Sequence, residues 1–424
     1  MRQRNRPTRA CERRERSKFL VLVTVTAVIG LALAGCGRDE GGTQATPGIT
    51  DTAIKIGISV PLSGPVSDAG TAQLGGAKAY YEAINAAGGV KMRDGKTRKI
   101  ELTSYDDGYE PGRSVQNFRR LVQQDGALAV VGGLGTAQNA AVVPVAKELG
   151  VPQVFVASGA SLFSAKPTDN PWTIGWQPTY EAEGEALAEA AVALNRPVTV
   201  AVIRQNDDLG NAFLNGFNKG IEGSQVKVAG TIQTYEAADT TVDSQITNLA
   251  ATRAEVLLSA VAVVRLQISA LTKARELGWK PVVLLPGFTQ GFSTVLKPSG
   301  ADTYFDQIYS TGFVKIPSDP QWSSDPAVVE FTSRMKQYSP QANANLPNAV
   351  WGYATAATFV RALETMNGLT RQDLMNAVRA LKADDIPMLL PGLGVDASAA
   401  GKSPVNATRL FKFADGRYSQ VQPS

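Results

Sequence analysis

Short β-rich apolar runs alternate with amphipathic helical stretches along this chain, and the alternation occurs twice. The first round begins with the apolar run Ile54–Val60, which a helical stretch follows up to Gly88-Gly89. The second round begins at Val198–Ile203. This alternation predicts an α/β fold with mainly parallel sheets, because adjacent parallel strands need a helical crossover between them. The other predicted strands are Ile100–Ser104, Ala127–Val131, Gln153–Ala157, Val226–Thr234, Glu255–Ala260 and Val282–Leu285.

A leader typical of secretion precedes this alternation. Eight basic side chains come before Phe19, an apolar stretch continues to Ala34, and small residues lead to Cys36. This order predicts a signal peptide over residues 1–35, with a cysteine at the cut that can carry lipid. The apolar stretch is shorter than the roughly 20 residues of a spanning helix, so a transmembrane segment is less favoured. We therefore expect lipid attachment at Cys36, a polar tether over residues 36–50, and an extracytoplasmic location on the periplasmic side or the outer face of the cell membrane.

Composition excludes several classes of chemistry. Histidine is absent, which removes Ser-His-Asp and Cys-His catalysis and His-ligated metal sites. Cys11 and Cys36 are the only cysteines, so the predicted lobes depend on a hydrophobic core rather than on disulfides. Residues 1–35 hold eight of the 42 basic and two of the 38 acidic residues, which leaves 34 and 36 and a net charge of −2. The sequence predicts no cofactor, no metal and no nucleic-acid partner.

Other motifs that suggest chemistry fit their patterns poorly. Ser333 and Lys336 have the Ser-x-x-Lys spacing, but no Lys-Thr-Gly follows and the pair lies within a predicted helix. A partial dinucleotide fingerprint has Gln138 where its third glycine belongs. Asp106-Asp107 could bind a metal, but a turn with helix-capping carboxylates is favoured. The basic stretch Lys91–Lys99 is interpreted as a solvated hairpin.

Five segments carry a resemblance to a known family, because they follow one another in the order that the family has: Ile56–Gly70, Ile84–Val90, Tyr105–Pro111, Val130–Thr136 and Val350–Leu363. They resemble the leucine/isoleucine/valine-binding branch of the type I periplasmic binding proteins, which are solute-binding proteins of ABC transporters. The resemblance implies two doubly wound α/β lobes with parallel sheets, joined by three crossovers, with a ligand cleft between them. It places the first lobe at 51–173 and 312–385, the second at 177–308 and 400–424, and the crossovers near Trp172–Gln177, Tyr309–Phe313 and Pro387–Val405.

Two strand-ending loops of the first lobe are candidates for holding a carboxylate. They contain small residues and hydroxyls, which let backbone N–H groups at helix starts approach an anion. The positions that match Thr136, Gly159 and Ser161 hold the carboxylate and ammonium of an amino acid in the family. The resemblance therefore implies carboxylate contacts at these three residues, with Ala137 and Ala160 beside them. The alternative is that the Thr and Ser side chains in these loops cap the helices that follow and contact no ligand.

The rest of the candidate site departs from the amino-acid-binding pattern. Ala69 stands where the family often has an aromatic residue, Leu209 replaces a tyrosine, and Val263 lies in an apolar segment where glycine and tyrosine are usual. Thr289 stands where an acidic residue pairs with the ligand's ammonium. A buried ammonium without a counter-charge is costly, so the ligand need not carry an amine. Asp208, or its neighbour Asp207, could supply the missing charge.

These features predict a monomeric, non-enzymatic solute-binding lipoprotein. We expect it to capture a small apolar carboxylate, or a branched-chain or hydrophobic amino acid, by lobe closure and to deliver it to an ABC permease. A ligand-sensing receptor of the same fold, coupled to a signalling partner, is the main alternative. A secreted hydrolase that uses Ser333 and Lys336 is a third. Tyr353 is a weaker candidate for the cleft and is favoured as a core or hinge aromatic.

Overall fold

The computed structural model describes residues 46–164 and 166–421. Cys36, the predicted signal peptide and residues 36–45 of the predicted tether lie outside the described residues. The strands are β1 Ala53–Val60, β2 Val90–Lys91, β3 Thr97–Asp106, β4 Ala129–Val131, β5 Gln153–Val156, β6 Thr173–Gly175, β7 Val198–Gln205, β8 Val226–Tyr235, β9 Val256–Ala260, β10 Val282–Leu285, β11 Ile308–Gly312, β12 Lys382–Ala383, β13 Val395–Asp396, β14 Arg409–Ala414 and β15 Arg417–Gln420. The helices are α1 Ser67–Ala86, α2 Pro111–Gln123, α3 Thr136–Leu149, α4 Tyr180–Val192, α5 Asp208–Gly220, α6 Asp243–Ala251, α7 Val264–Glu276, α8 Lys297–Ser299, α9 Ala301–Tyr304, α10 Pro326–Tyr338, α11 Pro347–Thr365 and α12 Arg371–Ala380.

Two sheets organise the described chain, and each belongs to one lobe. The first has the order β2-β3-β1-β4-β5-β6, and the second the order β8-β7-β9-β10-β11-β14-β15. Within each, five consecutive strands are parallel, and the first of them in sequence lies between the second and the third. Strands β2, β14 and β15 pair antiparallel at the edges. The predicted α/β class with two doubly wound, mainly parallel lobes is confirmed.

Glycines bring one pair of helices into backbone contact in each lobe. In the first lobe, a Cβ on Gly76 of α1 would lie 1.9 Å from the carbonyl oxygen of Ala349 on α11. In the second, a Cβ on Gly216 of α5 would lie 2.0 Å from the carbonyl oxygen of Glu181 on α4. Any larger residue would push these helices apart, since real Cβ contacts are never so short. The close pairs fix α11 and α4, which both carry residues of the site.

The crossovers between the lobes lie side by side. The backbone N–H of Val405 donates to the carbonyl of Trp176 at 2.9 Å, and that of Leu390 donates to Phe313 at 3.0 Å. The rings of Trp176 and Phe313 meet edge to face with centroids 5.8 Å apart. The indole of Trp176 donates to the hydroxyl of Thr358 on α11 at 2.9 Å. The segments predicted as crossovers are therefore packed against one another through hydrogen bonds and aromatic rings rather than being loose linkers.

Residues 46–50 of the predicted tether are folded against the first lobe. Ile49 is buried and bridges Ile54, and the carbonyl of Thr50 accepts from the Arg98 guanidinium at 2.5 Å. Arg98 is itself fully buried and pairs with Asp94 at 2.6 Å. The solvated-hairpin interpretation of Lys91–Lys99 is therefore wrong for Arg98, because its charge is satisfied inside the lobe by a carboxylate and a backbone carbonyl.

Candidate ligand-binding site

A cavity lies where the carboxyl ends of the strands of the two sheets face each other. The space measures about 420 Å³ and is partly open to solvent. Loops that follow β1, β3, β4 and β5 of the first lobe line it, as do loops that follow β7, β9 and β10 of the second. This is the edge where open α/β sheets bind ligands. The residues lining this inner cavity are Val66, Ala69, Tyr109, Leu134, Gly135, Ala157, Tyr180, Leu209, Ala262, Phe288, Asn348 and Trp351.

The second lobe contributes an aromatic wall to the inner cavity. Tyr180 stacks on Phe213 with ring centroids 5.1 Å apart, and Phe288 meets both rings edge to face at 6.3 and 5.7 Å. Leu209, at the start of α5, completes this side. Aromatic and aliphatic walls of this kind favour an apolar ligand body.

Three hydroxyls gather beside the first-lobe side of the cavity, and we call them the hydroxyl cluster: Thr136, Ser158 and Tyr180. Tyr180 lines the cavity, while Thr136 and Ser158 directly follow the lining residues Gly135 and Ala157. The Thr136 and Ser158 hydroxyls are hydrogen-bonded at 2.8 Å, and both residues are buried. The Tyr180 phenol lies beside them, and burial raises the pKa of Tyr180 to about 12 against the opposing effect of its bond to Ser158. The phenol therefore stays a proton donor at neutral pH. Together with the first turn of α3, which begins at Thr136, the cluster can donate to a carboxylate.

The turn before α3 requires glycine. Gly135 has φ +103°, and a Cβ there would lie 2.3 Å from Oε1 of Gln138 and 2.8 Å from the Tyr109 ring. Tyr109 is itself held at φ +66°, with its N–H donating to Asp107 at 3.0 Å and its carbonyl accepting from Gln138 at 2.6 Å. Burial raises the pKa of the Tyr109 phenol, so this group too remains protonated at neutral pH in the cavity lining.

Asp106 and Asp107 organise backbone turns, as the favoured interpretation predicted, but neither caps the helix that follows, because the N-cap residue of α2 is Glu110. Asp106 accepts from the N–H groups of Leu62 and Ser63 at 2.7 and 3.1 Å, which shapes the loop after β1. Asp107 accepts from the Ser59 hydroxyl at 2.9 Å. Burial raises the pKa of Asp107. In residues 46–164 and 166–421, no group of three or more His, Cys, Asp or Glu is placed to hold a metal ion.

The structure distributes the predicted site residues unevenly. Ala69 and Leu209 line the inner cavity, and Val263 lines an adjoining outer chamber of about 380 Å³. Thr136 belongs to the hydroxyl cluster, next to Gly135 in the lining. Gly159 and Ala160 are buried beside the cluster, where the Gly159 carbonyl accepts from the Tyr180 N–H at 2.9 Å and the Ala160 N–H donates to the Ser158 hydroxyl at 3.2 Å.

Four predicted site residues lie away from the inner cavity. Ser161 is exposed and donates to Glu181 at 2.7 Å. Ala137 and Asp208 are exposed. Thr289 is fully buried, and its hydroxyl donates to the Val261 carbonyl at 3.1 Å. Their ligand contacts therefore stay predictions that only binding experiments can test.

Phe288 rather than Thr289 faces the ligand space. Both residues lie in a turn that the Thr289 N–H closes by donating to the Pro286 carbonyl at 3.2 Å, and the turn directs their side chains differently. Asp207 is engaged locally, because its carboxylate accepts from the Gly210 N–H at 3.2 Å and from Gln205 at 2.5 Å. Burial raises the pKa of Asp207. Among the residues that line the inner cavity in the described structure, none is acidic.

Sequence reasoning missed a buried carboxyl group close to this wall. Glu183 of α4 is 1% exposed, and burial raises its pKa to about 7. Its Oε2 accepts from the Thr311 hydroxyl at 2.5 Å and from the Gly287 N–H at 3.2 Å. Glu183 looks like an ordinary helix-surface residue in the sequence, since glutamate is rarely buried. No local pattern could have identified it.

Trp351 and Asn348 were also missed, although both lie in or beside a segment that carries the family resemblance. They lie one turn apart on α11, line the inner cavity, and are 4% and 5% exposed. Because α11 is buried nearly all round, hydropathy alone cannot separate its core positions from its cavity positions. Tyr353, two residues further, is a core residue packed between Tyr80 and Phe331.

The hydrolase alternative has no support in the site. Ser333 and Lys336 are exposed on α10, whereas a nucleophile and its base need a shaped, water-excluding pocket. Of the helices in the described part of the chain, none combines the length and the hydropathy that crossing a membrane requires.

Two α/β lobes that present their strand ends to a shared apolar cavity define a two-lobed solute-binding protein. Residues 53–417 match the family model of the periplasmic binding proteins, and this chain belongs to that family. The predicted resemblance and the non-enzyme prediction are thereby confirmed, and the family is extracytoplasmic.

Individual relatives are distant. The "Leu/Ile/Val-binding protein homolog 3" of Brucella melitensis biotype 1 is 30% identical over 42% of this chain and 47% of its own length, so the match spans about half of that relative. A fatty acid ABC transporter substrate-binding protein from Thermomonospora curvata has a TM-score of 0.73 at 20% identity, covering 89% of this chain and 94% of that one. A branched chain amino acid ABC transporter structure from Thermus thermophilus with bound valine has a TM-score of 0.73 at 17% identity, covering 88% and 96%. At these identities, the two structures establish the fold alone.

Proposed function

We propose that this protein captures a small apolar carboxylate between its lobes and delivers it to an ABC permease outside the cytoplasm. The observation that carries this proposal is the hydroxyl cluster, whose Tyr180 lines one side of a mostly apolar inner cavity. Its hydroxyls and the start of α3 suit an anion, and the aromatic wall suits an apolar body. Closure of the lobes about the crossovers would then bury the ligand.

The proposed ligand does not need an amine. A buried ammonium needs a carboxylate partner, and no described residue lining the inner cavity is acidic. Asp207 already accepts from Gly210 and Gln205, while Asp208 is exposed. Glu183, whose pKa is raised to about 7 by burial, is the remaining acid near the wall. The competing proposal is a branched-chain or hydrophobic amino acid, the kind of ligand in the valine-bound relative.

A thermal-shift comparison of matched ligands tests this proposal. The full chain in detergent would be compared with leucine and 4-methylpentanoate, which share a carbon skeleton and differ in the ammonium. A ligand at a hundredfold excess over its Kd stabilises the folded state by about 2.7 kcal/mol, so binding should be plain. We expect 4-methylpentanoate to raise Tm at least as much as leucine. Stabilisation by leucine alone would overturn the amine-free ligand class.

Permease delivery and membrane anchoring are separate parts of the proposal. The names of the relatives support transport, and the cysteine at the end of the leader supports a lipid anchor. We expect Cys36→Ser to release the chain from the membrane fraction, and the mass of the wild-type chain to include acyl groups on Cys36. Deletion of the chain should abolish uptake of its ligand. Intact uptake together with a lost transcriptional response would instead favour the sensing receptor.

A further inference from the structure

The indole of Trp351 carries a buried hydrogen-bond donor that no described residue accepts. Trp351 stacks on Phe313 with centroids 5.6 Å apart and planes 17° apart, which fixes the orientation of the ring. Its Nε1 is buried and makes no hydrogen bond with any residue of the described structure. The indoles of Trp176 and Trp279, by contrast, each donate at 2.9 Å. A buried N–H normally finds an acceptor, because leaving it without one costs free energy.

The side chain that carries this donor lines the inner cavity. Trp351 lines it together with Asn348, which precedes it by one turn on the same face of α11. Asn348 also lines the outer chamber, so the pair lies where the two spaces adjoin. The hydroxyl cluster stands on other elements, at the start of α3, after β5 and at the start of α4. Besides the Tyr109 phenol, the cavity thus has two separate polar groups within largely apolar walls.

We propose that the ligand carries a second, neutral hydrogen-bond acceptor, separated from its carboxylate by an apolar spacer, and that Trp351 and Asn348 bind this acceptor. The inference rests on the proposed function and narrows its ligand class to apolar acids with a ketone or amide oxygen. A neutral acceptor fits because the indole N–H and the amide N–H are neutral donors. No Lys or Arg is among the described residues that line the inner cavity. Arg265 lines the outer chamber, but its guanidinium already donates to the backbone carbonyls of Thr240 and Ala237, so a second carboxylate would have to compete with them.

Matched acids that differ only in one ketone oxygen test the proposal. Calorimetry on the full chain in detergent would compare pentanoate, hexanoate and heptanoate with 4-oxopentanoate, 5-oxohexanoate and 6-oxoheptanoate. One hydrogen bond to a buried acceptor is expected to favour at least one keto acid over its parent by roughly tenfold. Trp351→Phe, which keeps the aromatic ring and removes the N–H, should abolish that preference and leave the parent acid's affinity nearly unchanged. Trp322→Phe, a half-buried indole outside both chambers, is the matched control.

The other possible results of these binding measurements contradict either this inference or the proposed function. The proposal is overturned if no keto acid is preferred by wild type, if the preference survives Trp351→Phe, or if that variant weakens both acids equally, which marks a packing role. If Trp351→Phe does not fold, Asn348→Leu serves instead and should reduce the same preference. If the parent acids bind but the keto acids gain nothing, the proposed function stands and this inference fails. If neither series binds, the proposed function itself fails.

Discussion

Glu183 and Thr311 form a buried hydrogen bond of 2.5 Å that joins a helix of the second lobe to the strand entering the hinge. Thr311 lies on β11, which leads directly to Phe313 in the crossover region. The same carboxylate oxygen accepts from Gly287, the neighbour of Phe288 in the cavity wall. Glu183 therefore ties the hinge strand to the ligand-facing loop, and its protonation state bears on both.

Glu183 should make the protein less stable as pH rises through neutrality. Burial raises its pKa from 4.5 to about 7 in the folded state. The folded protein thus keeps a proton that the unfolded chain loses, so this stabilisation is complete below pH 4.5 and is lost as pH passes about 7. The difference corresponds to a free energy of unfolding on the order of 3 kcal/mol. We expect Glu183→Gln, which cannot ionise, to flatten the fall in Tm between about pH 5 and about pH 8.

The control for this experiment is Glu185→Gln on the same helix. Glu185 pairs with Lys219 and is 38% exposed, so this variant should keep the wild-type pH slope. Since the chain contains no histidine, few other side chains titrate in this range. Burial also raises the pKa of Asp107 and Asp207, which is why the slopes of the two variants must be compared. If Tm falls with pH equally steeply in the Glu183→Gln and Glu185→Gln variants, a group other than Glu183 is responsible for the fall.

Ser158 should matter more for ligand affinity than Ser161. Ser158 is buried in the hydroxyl cluster, whereas Ser161 is exposed and donates to Glu181. Loss of a hydrogen bond to a charged group costs about 1.5–3 kcal/mol. We expect Ser158→Ala to weaken binding of hexanoate by roughly tenfold or more and Ser161→Ala to change it little, as measured by calorimetry. The reverse order would restore Ser161 as the carboxylate contact that the family resemblance implies.

Gly159 should tolerate no side chain where the lobes meet. A Cβ there would lie 2.6 Å from the Pro178 carbonyl oxygen and 2.7 Å from the Tyr180 ring. Gly159→Ala is therefore expected to lower the free energy of unfolding by about 1–3 kcal/mol, because overpacking forces both elements to move. Gly112→Ala in α2, which meets nothing within 4 Å, should leave stability unchanged or slightly raised. Equal denaturation midpoints for the two variants would contradict this difference.

The strand-helix alternation predicted the fold well because it depends on residue type alone. Strand β10 was predicted with the bounds that the structure has, Val282–Leu285. Strand β3 extends beyond the predicted Ile100–Ser104 to Thr97–Asp106. The residues added at its two ends are mostly polar, so no apolar run marks them as strand in the sequence. The positions of the ligand loops followed from the strand ends.

The orientation of side chains within those loops could not be predicted in the same way. Phe288 and Thr289 are neighbours, and only the backbone path decides that the phenyl ring faces the ligand space while the hydroxyl bonds to Val261. Arg98 and Glu183 each bond inside the protein to a partner that is distant in sequence, Thr50 and Thr311 respectively, which the sequence pattern does not show. Burial of a polar group depends on such partners, so the sequence pattern carries little signal for it.

Ala69 should set the size of ligand that the cavity accepts. It lines both the inner cavity and the outer chamber from the start of α1, where the family often has an aromatic residue. A phenyl ring at this position would occupy the space between the two chambers, so Ala69→Phe should weaken heptanoate binding by roughly tenfold or more. Butanoate, whose chain is shorter, should lose much less affinity. Ala86→Phe, at an exposed position at the far end of the same helix and outside both chambers, is the matched control and should bind both acids as wild type does. If calorimetry shows that heptanoate and butanoate lose the same affinity, Ala69 supports the packing of the lobe rather than limiting the length of the ligand. The limit on ligand length would then be assigned to Leu209 and Phe288 on the opposite wall.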